Sequence, residues 1–131
     1  MDTFFIKPTE DTPLIRFDPK TGCFEFSGNS LPENASMFYE PVIQWLDEYN
    51  KSPQKKTTFV FKIKVISSSS SKIFFDILSK IDDLNENENS DVKVLWYYTV
   101  YDDEIRETGL DYRDSMNVPF ELILIDEEKE T

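Results

Sequence analysis

The chain has 131 residues, which suffice for one domain but would leave two domains with too little core each. Hydrophobic residues make up 39% of the chain and aromatic residues 15%, which excludes a disordered polypeptide. The 26 Asp and Glu outnumber the 14 Lys and Arg and give a formal net charge of −12, so the surface repels phosphate backbones and anionic lipids. We therefore expect a single domain over residues 1–131 that binds neither nucleic acid nor membranes.

The rare residue types limit the chemistry. The chain has no histidine, so the usual acid/base at neutral pH, Ser–His and Cys–His nucleophile pairs and His-ligated metals are all impossible. A single cysteine makes neither an internal disulfide nor a thiolate metal site, and three glycines leave no phosphate-binding glycine loop. We expect a binding or regulatory protein that is not an enzyme and needs no cofactor or metal.

The start of the chain lacks the basic region and long apolar stretch of a signal peptide, and no stretch approaches the length of a membrane span. This pattern predicts a cytoplasmic protein.

The first predicted elements form a β-hairpin. Residues 14–18 and 23–27 alternate like strands around the turn at residues 19–22, where Pro comes early and Gly last. An extended arm precedes the hairpin, with the option of a short strand at Phe4–Ile6.

A helix follows over residues 34–50, where apolar side chains recur at helical spacing and Asn34 is a good N-cap. Pro41 conflicts with a straight helix, so the helix either kinks there or gives way to a second helix that begins near Pro41.

Residues 57–66 are the strongest strand signal. Lys62 and Lys64 lie on the face opposite the apolar residues, which predicts a sheet that is not fully covered on both sides. After the serines at 67–71, an apolar stripe predicts a second helix.

Residues 85–91 then read as an acidic solvated loop. Residues 92–100 are a strand, in which we expect Trp96, Tyr97 and Tyr98 to belong to the sheet core rather than to a nucleic-acid platform. The acids at 102–104 begin a short helix that Gly109 weakens, and residues 118–125 are the last strand before a charged tail. The order β-β-α-β-α-β-α-β predicts an α/β fold with a mixed sheet and right-handed crossovers.

The run of five serines at residues 67–71 is the unusual local feature. It is too short and too closely flanked by a strand and a helix to be a flexible linker. One interpretation is a redundant helix cap, because a serine hydroxyl accepts a bond from an orphan backbone N–H group. The other is a modification site, because a helix N-terminus stabilises a phosphate, and phosphorylation adds about −1.5 to −2 units of charge there.

Short motifs along nearly the whole chain resemble one known family. They are residues 8–13 (PTEDTP), 17–19 (FDP), 28–34 (GNSLPEN), 69–72 (SSSK), 76–78 (DIL), 96–98 (WYY) and 117–121 (NVPFE). Each alone is weak, but together and in this order they are specific, and they are similar to those of the SiaC-type regulatory phosphoproteins of bacteria.

The resemblance implies a STAS-like fold, similar to that of the anti-sigma factor antagonists. It also implies partner switching, in which a cognate Ser/Thr protein kinase phosphorylates the switch residue and a PP2C-like phosphatase removes the phosphate. The unphosphorylated form then binds and regulates an effector such as a diguanylate cyclase. The family's block Asn-Thr-Ser-Ser, with a phosphorylated Thr, matches this chain at Ser67 and Ser68. Ser68 is therefore the expected phosphoacceptor, with Ser67, Ser69 and Ser70 beside it.

Two further residues are candidates for partner binding. Lys72 could help to neutralise a phosphate, although it could equally be a solvated lysine. Phe75 lies away from the apolar stripe of the second helix and is either an exposed partner contact or packed against another element.

Two alternatives to the switch stay open. In the first, the protein is a constitutive binding module whose serines only cap the helix. In the second, it is an enzyme that uses carboxylates, for example Glu33 with Asp76, although nothing in the sequence places these two in one cleft.

Overall fold

Strands and helices alternate along the chain in the computed structural model, which describes residues 1–87 and 90–125. The elements are β1 (Phe4–Ile6), β2 (Leu14–Asp18), β3 (Cys23–Ser30), α1 (Ala35–Tyr49), β4 (Lys56–Ile66), α2 (Ser68–Glu86), β5 (Asp91–Thr99), α3 (Asp103–Ser115) and β6 (Phe120–Ile125). The predicted order lacked one strand, because β1 is only three residues long and has no clear alternation of its own. Its position follows from pairing with β2 and from the stacking of Phe4 on Phe17.

All six strands form one mixed sheet in the order in which they occur along the chain. The strands β1, β2 and β3 pair antiparallel, as the predicted hairpin requires. The strands β3, β4, β5 and β6 pair parallel, and a helix connects each to the next. The prediction of an α/β fold with a mixed sheet is confirmed.

All three helices pack on the same face of the sheet. Ring centroids lie 4.6 Å apart between Phe24 and Tyr49 of α1, and 5.6 Å apart between Phe61 and Phe74 of α2. On α3, Tyr112 packs edge-on against Trp96, which is fully buried and lies beside Phe61 in the sheet. The prediction that Trp96 belongs to the core is confirmed.

The other face of the sheet carries no helix. Lys62 and Lys64 are exposed there, and Tyr97 is half-buried beneath Lys62. The prediction of a sheet that is not fully covered on both sides is therefore confirmed. The prediction that Tyr97 belongs to the sheet core is wrong, because its side chain lies on the face without helices.

Helix α1 begins as predicted and passes through its proline. The side chain of Asn34 accepts a hydrogen bond from the backbone N–H of Met37 at 3.1 Å. One continuous helix runs past Pro41, so the alternative of two separate helices is wrong. Pro41 lies on the exposed side, and Met37, whose carbonyl loses its helical donor there, is 71% exposed, so water can bond to that carbonyl.

The acidic loop predicted at residues 85–91 is shorter than expected. Helix α2 continues to Glu86 and β5 begins at Asp91. Ser90 is buried and its hydroxyl lies 2.7 Å from that of Thr57, so the loop is not solvated throughout. Residues 88 and 89 and the charged tail at 126–131 lie outside the described residues.

Helix α3 begins at the predicted acids, since the side chain of Asp102 accepts a hydrogen bond from the backbone N–H of Ile105 at 3.1 Å. Among the described helices, none has both the length and the apolar character that crossing a membrane demands.

Candidate functional site

The serine run lies where β4 ends and α2 begins. Ser67 has extended backbone angles and caps the helix, because its hydroxyl accepts a hydrogen bond from the backbone N–H of Ser70 at 3.1 Å. Helix α2 then runs for 19 residues from Ser68. The unbonded N–H groups of its first turn, and the positive end of its dipole, therefore lie at the serines.

The five serines lie in different surroundings. Ser68 and Ser69 are exposed, Ser67 and Ser71 are half-buried, and Ser70 is fully buried. Within residues 1–87 and 90–125, neither Ser68 nor Ser69 uses its hydroxyl in a hydrogen bond. Ser68 and Ser69 are thus the two exposed serines of the run.

Ser70 belongs to a buried chain of hydroxyls that connects α2 to α1. Its Oγ accepts hydrogen bonds from Ser67 Oγ at 3.0 Å and from Ser30 Oγ at 2.8 Å. Ser30 Oγ in turn lies 2.6 Å from the hydroxyl of Tyr39. Burial raises the pKa of Tyr39 and the bond with Ser30 acts in the opposite direction, so this tyrosine is neutral at physiological pH. Ser70, which lies beside the expected phosphoacceptor Ser68 in the sequence, therefore has a structural role.

Ser71 connects α2 to α3. Its Oγ lies 3.0 Å from the hydroxyl of Tyr112, and that hydroxyl donates a hydrogen bond to the backbone carbonyl of Ser71 at 2.7 Å. Burial raises the pKa of Tyr112, which keeps its hydroxyl protonated as the donor. The start of α2 is thus tied to both neighbouring helices.

The three residues singled out from the sequence share the outward side of α2. Positions 68, 72 and 75 are spaced by four and three residues, which places them above one another on a helix. Lys72 is exposed, and Phe75 is 45% exposed although it is a large apolar side chain. We call Ser68, Lys72 and Phe75 the outer face of α2.

A shallow hollow of about 330 Å³ separates the first turns of α1 and α2. Ser69 and Lys72 line it from α2, and Glu33 and Ser36 line it from the start of α1. Asp76, which the carboxylate hypothesis pairs with Glu33, is not among the lining residues, so this hollow does not unite the two. Within the described part of the chain, no cluster of His, Cys, Asp or Glu could hold a metal ion.

Sequence reasoning missed the partners of the serines. Ser30 lies 40 residues before Ser70, and Tyr112 lies 41 residues after Ser71, so no local pattern connects them. The one available signal was that Ser30 falls inside the GNSLPEN motif.

The chain is similar to known proteins over nearly its full length. Residues 6–125 match the model of a family described as SiaC family regulatory phosphoprotein. An uncharacterized protein of Pseudomonas aeruginosa (strain UCBPP-PA14) is 25% identical over 127 residues, which cover 97% of this chain and 100% of that protein.

Solved structures with the same fold come from the same organism. SiaC of Pseudomonas aeruginosa superposes with a TM-score of 0.86 at 25% identity, covering 95% of this chain and 100% of that one. The crystal structure of apo-SiaC gives a TM-score of 0.87 at 24% identity, covering 94% and 99%. A chain in the crystal structure of the diguanylate cyclase SiaD in complex with its activator SiaC gives 0.86 at 24% identity, covering 93% and 99%.

Proposed function

Because the chain belongs to the SiaC family of regulatory phosphoproteins, we propose that it is a cytoplasmic, non-enzymatic signalling switch whose phosphoacceptor is Ser68. A cognate Ser/Thr protein kinase phosphorylates it, and a PP2C-like phosphatase restores the hydroxyl. The unphosphorylated form binds and regulates an effector, for which a diguanylate cyclase is the first candidate, since SiaC of Pseudomonas aeruginosa is described as the activator of one.

The observation that carries this proposal is the exposed hydroxyl of Ser68 in the first turn of α2, on the same outward side as Lys72 and Phe75. Of the five serines, Ser67 caps the helix, Ser70 is buried and Ser71 bonds to Tyr112. Ser69 is exposed like Ser68 but lines the hollow beside α1. The family's motif, matched residue by residue, favours Ser68.

The geometry suits a switch that acts on a partner more than on the fold. A phosphate at the helix N-terminus gains only about 0.3–1 kcal/mol from the helix dipole. A partner whose surface lies against the outer face of α2 meets about two new negative charges, and an unfavourable charge at an interface costs several kcal/mol. Phosphorylation of Ser68 therefore releases a partner while leaving the protein folded. The proposal also includes a STAS-like fold for this chain, because in STAS domains the phosphorylated residue likewise lies at a strand-to-helix junction.

Phosphate mapping with the cognate kinase and ATP tests the acceptor. We expect the label within residues 67–71 and its loss in Ser68→Ala. Ser69→Ala should keep most of it, and Ser36→Ala, an exposed serine in the first turn of α1, is the matched control. Label that persists in Ser68→Ala and disappears in Ser69→Ala would move the acceptor by one residue, and label outside 67–71 would contradict the proposal.

Calorimetry tests the switch by measuring how tightly the protein binds a diguanylate cyclase from the organism that encodes this chain. We expect Ser68→Asp to weaken binding and Phe75→Ala to weaken it by about 1–2 kcal/mol, as for an exposed aromatic anchor. Phe5→Ala is the control, because Phe5 is at least as exposed as Phe75 but lies on β1 at the far edge of the sheet.

The competing hypothesis is a constitutive module in which the serines only cap the helix. The hydrogen bond by which Ser67 caps the helix supports this hypothesis for Ser67, but not for the other serines of the run. It requires that Ser68→Asp and the phosphorylated protein bind the effector as tightly as the unmodified protein, an outcome that would contradict the switch.

A further inference from the structure

A second hollow, of about 380 Å³, lies on the helix-free face of the sheet. It is formed where β4, β5 and β6 approach their carboxyl ends, and its lining includes Lys62, Lys64, Tyr97, Thr99 and Ile125. The volume lies within the range of roughly 300–1,000 Å³ that is usual for small-molecule sites. The outer face of α2 lies on the helix-covered side of the sheet, so this hollow is separate from the proposed phosphoacceptor.

The hollow is cationic in a molecule whose net charge is −12. Lys62 and Lys64 are two residues apart on one strand, so both side chains project from the same face, and both are exposed. Among the described residues that line the hollow, Asp102 is the only carboxylate. Its charge is directed at the start of α3, where it caps the N–H of Ile105. The hollow therefore favours an anion.

The wall beside the lysines is aromatic. The Nζ atom of Lys62 lies 5.2 Å from the ring centroid of Tyr97, a cation–π contact that places the ammonium group at the hollow. Ile125 adds an apolar side chain, and Ser27 and Thr99 add hydroxyl groups. Positive charge, a ring surface and hydroxyl groups in one hollow match a ligand that has both a phosphate and a flat ring.

We propose that this hollow binds a small aromatic phosphate of about the size of a mononucleotide. The phosphate contacts Lys62 and Lys64, and the ring packs against Tyr97. The net charge of −12 decides against an acidic protein or a polynucleotide, because repulsion grows with the charge of the ligand, whereas a mononucleotide carries only about two negative charges.

Titration of adenosine monophosphate into isotope-labelled protein, followed by NMR, tests this proposal. We expect saturable shifts at Tyr97, Thr99 and Ile125. Lys62→Gln and Lys64→Gln should each weaken binding about tenfold, because each removes a charge-assisted hydrogen bond to the phosphate. Adenosine and ribose phosphate should each bind more weakly than adenosine monophosphate, since each lacks one of the two matched groups.

Lys93→Gln is the matched control. Lys93 is an exposed lysine that pairs in register with Thr58 near the amino end of β5, so its loss changes the net charge equally without altering the hollow. The proposal is overturned if adenosine monophosphate causes no saturable shifts, if the shifts fall on α2 instead, or if Lys93→Gln weakens binding as much as Lys64→Gln. Equally tight binding of ribose phosphate would overturn the part assigned to Tyr97. Because Ser68 is untouched, each of these outcomes leaves the test of the switch unaffected.

Discussion

At the scale of single residues, the serine run separates into structural and accessible members. Ser67→Ala removes the helix cap, so we expect it to lower the free energy of unfolding by about 1 kcal/mol. Ser70→Ala removes the buried acceptor of the hydroxyls of Ser67 and Ser30 and should cost about 1–3 kcal/mol. Ser69→Ala should change the free energy by no more than about 0.5 kcal/mol, because this side chain is exposed and makes no hydrogen bond within the described structure.

Urea unfolding of the three variants checks this order. Equal losses in Ser69→Ala and Ser70→Ala would contradict the separation, and so would a Ser70→Ala protein as stable as the unmodified one.

The same residues show how far local sequence patterns reach. Capping by Asn34 follows from spacing along one helix and could be predicted. The exposure of Phe75 was one of two alternatives that its position away from the apolar stripe left open. The burial of Ser70 could not, because it depends on Ser30 and Tyr39, which contact it only after the sheet and helices have assembled. Five identical residues in a row carry no information on which of them faces inward until the helix start is known.

At the scale of elements, Gly109 sets how closely α3 packs on the sheet. The sequence indicated only that this glycine weakens the helix. In the structure, a Cβ at this position would collide with the indole ring of Trp96, whose Nε1 donates a hydrogen bond to the carbonyl of Ile105 at 2.9 Å. The glycine therefore allows a close approach that any larger residue would prevent.

Gly109→Ala should consequently destabilise the protein by about 1–3 kcal/mol through overpacking, which outweighs the gain of up to about 1 kcal/mol in helix propensity. Glu107→Ala, at an exposed position on the same helix, is the control and should be neutral. Urea unfolding followed by near-ultraviolet circular dichroism reports both stability and the packing of the aromatic rings. A Gly109→Ala protein more stable than the unmodified one would show that α3 can move away from Trp96.

The order of the elements could be predicted except where an element is short or where its position depends on contacts with residues distant in the sequence. Strong alternation predicted β4, and an apolar stripe predicted α2. The three residues of β1 gave no such pattern, and their place depends on the contact of Phe4 with Phe17 and Trp45. Likewise, the hollow on the helix-free face joins residues of four parallel strands, so only the position of the lysines on β4 could be anticipated.

At the scale of the whole molecule, like charges dominate the surface. The net charge is −12, and the three ion pairs among the described residues all involve partly or largely exposed side chains. Exposed pairs contribute at most about 1 kcal/mol each, so their attraction does not offset the repulsion among the excess carboxylates. A phosphate on Ser68 adds to that excess, and any partner of α2 therefore meets a more strongly negative surface after phosphorylation.

This imbalance predicts that moderate salt stabilises the protein. Raising NaCl from about 0.01 M to about 0.1 M shortens the screening length from about 30 Å to about 10 Å, which weakens long-range repulsion more than contact pairs. We expect the urea midpoint to rise with salt at an unchanged slope. Glu107→Gln, which removes one exposed negative charge, should show a smaller rise, and Lys93→Gln, which removes one positive charge, a larger one. A midpoint that falls with salt in the unmodified protein would mean that the ion pairs, led by Lys80 with Asp47 between α2 and α1, outweigh the net charge.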